Sequence, residues 1–329
     1  MWFNPSRILS YNRMLNFVVG SRGGGKTFNT LELCIRRYLK YGKQFIYLRR
    51  YDTELESARP HLFDAIRHVG HFPDTKFDVA GKNLLINDEV AGYCVALTKS
   101  RQYKGTSLPD CDFILFDEFL IDQGRTTYIK GEVKLLLDLI ETVGRMDTIR
   151  VMCLSNAITV SNIYFDYFGI TPRRGHEFTK HPTKPIIVQM FADAEYIHAK
   201  QQTEFGRLIE GTTYEDYAIN NSFVNDSYSF ISPLTGKTIY IFTFMFHGKH
   251  YGVYFLPACG IYHINRNVNH NCPTKFAFTT EDHQPNYLLF KFAKSHPFIV
   301  RLKYAYDMGF VYFDSLSTKN VCYELFNYL

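Results

Sequence analysis

Residues 20–27 read Gly20-Ser21-Arg22-Gly23-Gly24-Gly25-Lys26-Thr27, the spacing G-x-x-x-x-G-K-[ST]. Each residue type answers a demand that a polyphosphate makes. Glycines accept positive φ and let backbone N–H groups approach phosphate oxygens with no Cβ in the way. Lys26 brings a cation to the β and γ phosphates and Thr27 a hydroxyl to Mg²⁺. A helix starting there aims its positive end at the same anion. Further along, Asp112-Phe113-Ile114-Leu115-Phe116 runs into Asp117-Glu118. A buried strand cannot carry two charges, so the acids belong at its C-terminal mouth, where open α/β sheets bind ligands. Asp117 would hold Mg²⁺ and Glu118 would polarise an attacking water. An apolar run ending in a solvated acid pair is common by itself; the phosphate loop upstream gives this one its meaning. A further strand, Arg150 to Leu154, ends in Ser155-Asn156, and Asn156 would face the γ-phosphate, although Asn also serves plain turns.

Hydrolysis of this kind often takes a cation from a neighbouring copy. Arg145, after Gly144 and ahead of the Asn156 strand, is the leading candidate, with Arg150 and Lys104 as rivals. Arg49 and Arg50 end the second strand at the same sheet edge, and either can pair with Glu118 and hold it idle until a partner binds. Phe3, Asn4, Pro5 and Tyr11 can flank an adenine or simply order an N-terminal arm.

These positions require strands that alternate with helices. Leu15 to Val19 reads as a strand, Lys26 to Tyr41 as a helix closed by Gly42, and Phe45 to Leu48 as a second strand. Leu55 to Val69 reads as one helix. Lys76 to Leu97 reads as a hairpin turning at Asn87-Asp88. Lys130 to Arg145 is an amphipathic helix, and Ile149 to Leu154 and Ile186 to Met190 are buried strands. The pattern predicts an α/β domain on a mostly parallel sheet covered on both faces. From about Tyr196 to Ser229 the chain turns polar, as a linker with helical pieces would. Beyond it, Ile239–Phe246, His250–Phe255 and Gly260–Ile264 predict an antiparallel meander, followed by helices around 297–306 and 317–328: a small α+β unit.

Cys259-x-x-x-His263 and His270-x-Cys272 suggest zinc only weakly, since the spacing matches no familiar structural site and buried Cys with incidental His is the commoner explanation. From Ser229 onward nine Lys and Arg face five acids, Glu281, Asp282, Asp307, Asp314 and Glu324, a balance suited to binding nucleic acid rather than cutting it. Tyr240, Phe242, Phe244 and Phe246 could present a stacking face, but a near-continuous apolar strand reads better as buried on both sides. With 46% apolar and 21% charged residues the chain has the composition of a globular protein with a sizeable core, and its net charge of +5 allows a polyanionic partner. Seven cysteines without a C-x-x-C pair give no disulfide framework. No apolar run approaches the roughly 20 residues that span a bilayer, and the N-terminus lacks a signal-peptide core. A reducing cytoplasm is the expected compartment.

FNPSRILSYNRMLNFVVGSRGGGKT, YGKQFIYLRRY, FILFDEF, CLSNA and FGRLIEGT together make the chain resemble the DNA-packaging ATPases of phi29-like phages. The resemblance runs through essentially the whole chain. It implies an ASCE-type P-loop ATPase domain (1–196), a linker (197–228) and an RNase-H-like C-terminal domain (229–329) that has lost nuclease activity and binds nucleic acid. It further implies ATP and Mg²⁺ as cofactors and a homopentameric ring at the portal vertex of a procapsid in the bacterial host cytoplasm. There it would translocate double-stranded DNA, with contacts to the portal and a packaging RNA and none to a membrane. The family's phosphate loop, acid pair and trans arginine fall on Gly20 to Thr27, on Asp117 with Glu118, and on Arg145. One departure is that the stretch from Arg145 to Cys153 is short and carries Asp147 where a second arginine would stand, so the finger assignment stays open. Two other classes stay open as well. One is another nucleic-acid-dependent ATPase, terminase-like with nuclease or a helicase. The other is an RNA-binding scaffold with a vestigial ATP site.

Overall fold

The computed structural model describes residues 2–103, 108, 110–121, 128–145, 148–156, 162–172, 176–192, 194–212 and 229–326. Lys104, Asp147 and the 213–228 part of the expected linker lie outside them. The chain divides into two compact units, Met1–Asn225 and Asp226–Leu329.

The first unit runs α1 (Pro5–Leu9), β1 (Leu15–Gly20), α2 (Lys26–Tyr41), β2 (Gln44–Arg49), α3 (Asp52–Ala58), α4 (Asp64–Val69), β3 (Phe77–Ala80), β4 (Asn83–Ile86) and β5 (Glu89–Ala96). It continues with β6 (Cys111–Asp117), α5 (Glu132–Gly144), β7 (Arg150–Asn156), α6 (Ile163–Phe168), β8 (Phe178–Lys180), β9 (Ile186–Phe191), α7 (Ala194–Gln201) and α8 (Glu204–Ile209). Among the described residues its strands form one sheet in the order β3-β4-β5-β2-β6-β7-β1-β9-β8. The six from β5 to β9 are parallel, and antiparallel pairs close the two edges. Alternate residues of β1 feed opposite cores. Phe17 and Val19 pack with Phe119, Tyr164 and Phe165, while Val18 packs with Phe3 and Ile35. Two-sided burial is why these strands read as unbroken apolar runs. It also puts the charged residues Asp117 and Arg49 at strand ends, while buried polar side chains inside the strands, such as Asn16 and Gln189, are hydrogen-bonded.

Two sequence expectations change in detail. The single helix over 55–69 is interrupted at Arg59–His61, because Pro60 has no N–H to continue the ladder. The hairpin over 76–97 keeps its turn at Asn87 and Asp88, with φ of 53° and 66°, but gains β3 on its outer edge.

The second unit holds β10 (Ile239–Phe246), β11 (Lys249–Leu256), β12 (Ile261–Asn265), β13 (Lys275–Ala277), β14 (Leu288–Leu289) and β15 (Val311–Phe313) in the order β14-β13-β10-β11-β12-β15. The expected meander is its centre. The added β13 runs parallel to β10, and β14 parallel to β13. That arrangement is the RNase-H-like sheet implied by the family resemblance. Phe242, Phe244 and Phe246 are buried among Tyr251, Phe276 and Phe298, so this face of β10 is core and not a stacking platform. Cys259, His263, His270 and Cys272 do not converge: His263 Nε2 bonds to the Ser232 carbonyl, and the Cys272 thiol is buried against the Ile241 carbonyl. Among the described residues no three His, Cys, Asp or Glu side chains form a metal-binding group. Among the described residues no helix is long and apolar enough to cross a membrane.

Candidate active site

Parallel register brings the sequence-predicted residues to one edge. Gly20, the last residue of β1, lies opposite Asn156 at the end of β7, and Asp117 at the end of β6 lies opposite Leu154. The phosphate loop, Asn156 and the acid pair therefore stand side by side at the C-terminal ends of adjacent strands.

The loop is shaped as an anion cradle. Gly23 and Gly25 take φ of 85° and 77°, values that favour glycine. Any Cβ on Gly20 would overlap the Phe191 carbonyl oxygen, and one on Gly24 would come within 2.7 Å of the Phe191 ring. The Ser21 hydroxyl is buried and has no hydrogen-bond partner among the described residues, as expected of a polar group waiting for a ligand. Lys26 folds back over the loop, donating to the carbonyls of Gly20 at 3.1 Å and Ser21 at 2.7 Å, with Asn156 Oδ1 at 3.4 Å. Arg22 turns its side chain outward into solvent.

Thr27 Oγ1 donates to Asp117 Oδ1 at 3.0 Å, so the hydroxyl and carboxylate proposed for Mg²⁺ already share one point. A hard cation takes oxygen ligands of this kind, and the donor set fits it. Asp117 also accepts from Tyr47 Oη at 3.1 Å and has Arg49 Nη2 at 3.7 Å. Burial raises the Asp117 pKa above the ordinary carboxylate value; Glu118 adds to the rise, while Arg49, Thr27 and Tyr47 oppose it. Tyr47 was not among the residues expected from sequence, since a tyrosine inside an apolar strand reads as core.

Glu118 is the first residue beyond β6 and adopts φ of 59°. Its carboxylate forms an ion pair with Arg49 Nη1 at 2.6 Å. The two arginines expected as alternatives for that pairing have separated. Arg50 turns inward to Glu132, with Nε 3.0 Å from both carboxylate oxygens, and donates to the carbonyls of Glu118 at 3.2 Å and Phe119 at 2.5 Å. Arg50 thus holds the backbone of the acid turn, and of the two arginines it is Arg49 that meets the Glu118 side chain.

The arginine candidates stand elsewhere. Arg145 caps α5 and is exposed, with φ of 45°. It precedes β7, whereas Asn156 ends it, and seven strand residues span about 20 Å. Arg145 therefore cannot serve the cradle of its own chain. Arg150 begins the same strand and is hydrogen-bonded to Asn12. Of the adenine candidates, Phe3 and Pro5 are buried, Asn4 caps α1, and Tyr11 packs on Phe178.

Burial pulls the Lys26 pKa from 10.5 to about 8; Asp117 opposes the fall and Lys200 adds to it. Below pH 8 the free site carries the ammonium, and above it the neutral amine. A bound polyphosphate restores the charge, so binding takes up protons above that value and affinity falls as pH rises. Calorimetry at pH 8 in buffers of different ionisation enthalpy should register uptake of about half a proton with wild type and none with Lys26→Arg.

Comparison with known proteins gives consistent relatives. Residues 1–329 match the family described as Podovirus DNA encapsidation protein (Gp16). The DNA packaging protein of Bacillus phage phi29 is 32% identical over 327 residues, covering 99% of this chain and 97% of that protein. The solved bacteriophage Phi-29 viral genome packaging motor assembly is similar at TM-score 0.81 and 32% identity, covering 99% of this chain and 98% of that one. The crystal structure of the N-terminal domain of the DNA packaging ATPase from bacteriophage phi29 is similar at TM-score 0.55 and 35% identity. It covers 59% of this chain and 98% of that one.

Proposed function

The chain belongs to the Podovirus DNA encapsidation protein (Gp16) family, and from that premise we propose that it is the ATP-hydrolysing subunit of a ring motor that drives double-stranded DNA into a preformed procapsid. The observation that carries the reading is the meeting of Lys26, Thr27, Asp117, Glu118 and Asn156 at a single sheet edge. In this reading the loop amides and Lys26 hold the phosphates, and Asn156 contacts the terminal one. Thr27 and Asp117 hold Mg²⁺, which when bound neutralises charge on the phosphoryl oxygens. Glu118 orients the lytic water and accepts its proton. Arg145 belongs to the neighbouring subunit's site, which makes a ring the working form. A homopentamer docked to the portal and a packaging RNA, working at the procapsid vertex in the host cytoplasm, is the assembly that the family resemblance implies.

The second unit, about 229–329, is the nucleic-acid-binding part. Four of its five acids are engaged locally. Asp282 accepts from the Gly248 N–H and from Thr279, Asp314 from the Arg266 N–H, and Asp307 and Glu324 pair with Lys303 and His247. That commitment supports binding over cleavage.

The Arg49–Glu118 pair keeps the water activator occupied in the resting site. Because Glu118 is more than half exposed, the pair is weak, and Arg49→Ala should raise DNA-free hydrolysis only several-fold toward the DNA-stimulated rate. Unchanged stimulation by DNA in that variant would remove the pair from the mechanism.

The direct test of function is nuclease protection. Purified procapsids with this chain should shelter double-stranded DNA in the presence of ATP and leave it digestible with a non-hydrolysable analogue. Equal shelter with the analogue would refute a motor, and strand displacement without shelter would favour a helicase.

A further inference from the structure

The phosphate cradle has a direction. On one side of β1 lie β7 and then β6 with its acid pair; on the other lies β9. A triphosphate whose terminal group reaches Glu118 must therefore extend its nucleoside toward β9. Two aromatic side chains that the phosphate chemistry does not use stand on that side. Trp2 lies over the loop, so close that a Cβ on Gly25 would come within 2.5 Å of its ring. Its base is fixed, because the next residue, Phe3, donates its N–H to the Gly24 carbonyl at 3.0 Å and packs edge-on against Phe191. Trp2 is nevertheless 64% exposed. Tyr196 reaches the loop from α7, donating Oη to the Arg22 carbonyl at 3.2 Å, with Lys200 Nζ 5.7 Å over its ring.

The two ring centroids are 6.3 Å apart and their planes meet at 52°. That leaves no slot for a third ring between them. It makes a corner, open on the outer face of Trp2. A large aromatic held rigid at its root beside a charged loop offers stacking surface at low entropic cost. We propose that Trp2 and Tyr196 form the nucleoside platform of this site, the base stacking on the open face of Trp2 and Tyr196 walling one side. The inference rests on the nucleotide reading above and adds the recognition element for the base. Stacking alone discriminates weakly among bases, so selectivity for adenine over guanine should be modest. A stacked base would also bridge the N-terminal arm to α7, the first helix after the sheet.

Trp2 is the only tryptophan in the chain, so its fluorescence reports this platform alone. The full chain is titrated with Mg²⁺-ATP and with Mg²⁺-tripolyphosphate, and binding is followed in parallel by calorimetry. ATP should quench Trp2 emission saturably. Tripolyphosphate should bind and compete with ATP while leaving the emission nearly unchanged. Trp2→Ala and Tyr196→Ala should each weaken ATP roughly five- to hundredfold and leave tripolyphosphate affinity within about twofold, with Trp2→Phe close to wild type. ATP binding that leaves Trp2 emission unaltered, or wild-type ATP affinity in Trp2→Ala, would overturn the platform. Failure of both ligands to bind would instead overturn the nucleotide reading and the platform with it.

Discussion

Glu118→Gln should bind ATP as wild type does and hydrolyse it about 10²–10⁴ times more slowly, the usual contribution of a general base. The geometry gives two reasons to expect a clean separation of binding from turnover. In the proposed site the loop, Lys26 and Asn156 hold the polyphosphate, whereas the Glu118 carboxylate pairs with Arg49. The acid turn is held through the Glu118 and Phe119 carbonyls by Arg50, a contact that the substitution leaves in place. An amide of the same shape can stay beside Arg49 without the charge attraction but cannot accept a proton from water. Packaging into procapsids should fall to background, because a subunit that cannot turn over stalls its ring. Single-turnover hydrolysis alongside equilibrium ATP binding would check this, and normal turnover would strip Glu118 of its role.

Arg50→Met should destabilise the first unit by about 3–5 kcal/mol, the cost of leaving a buried charge without its partner. Glu132 has a fully buried side chain, and besides Arg50 it accepts, among the described residues, from Tyr164 Oη at 2.5 Å and the Ile129 N–H at 2.8 Å. Neither neutral donor compensates a carboxylate removed from water. The double variant Arg50→Met with Glu132→Leu removes both charges and should recover most of the loss, since replacing a whole buried pair by apolar side chains is often close to neutral. Hydrolysis should not recover with it, because the carbonyls of the acid turn stay unheld. Chemical denaturation and ATPase rates on the two variants separate the effects. A double variant as unstable as the single one would show that the pair itself, not the orphaned charge, sets the cost.

Much of this site was legible before the fold was known. The glycines, Lys26, Thr27 and the acids declare themselves because phosphate and metal chemistry restrict residue types, and because a buried strand must shed its charges at an end. Asn156 followed from the same rule. What stayed hidden depends on which strands become neighbours. Arg50 and Glu132 are 82 residues apart, and Glu132 reads from sequence as an ordinary acid at a helix start. Tyr47 became an Asp117 partner only because β2 lies beside β6. Trp2 and Tyr196 come from opposite ends of the first unit and meet over a loop that neither flanks in sequence. In the second unit, β13, β14 and β15 span only two or three residues each, too short for alternation to register.

The left-handed backbone at Glu118 will shape how any saturation mutagenesis of this position is read. Side chains branched at Cβ resist that conformation whatever their chemistry, whereas Asn and Asp enter it readily. Inactive Val, Ile or Thr alleles would thus report a distorted turn, and only unbranched replacements speak to the carboxylate. A tolerance map that ranks substitutions by polarity alone would misjudge this codon.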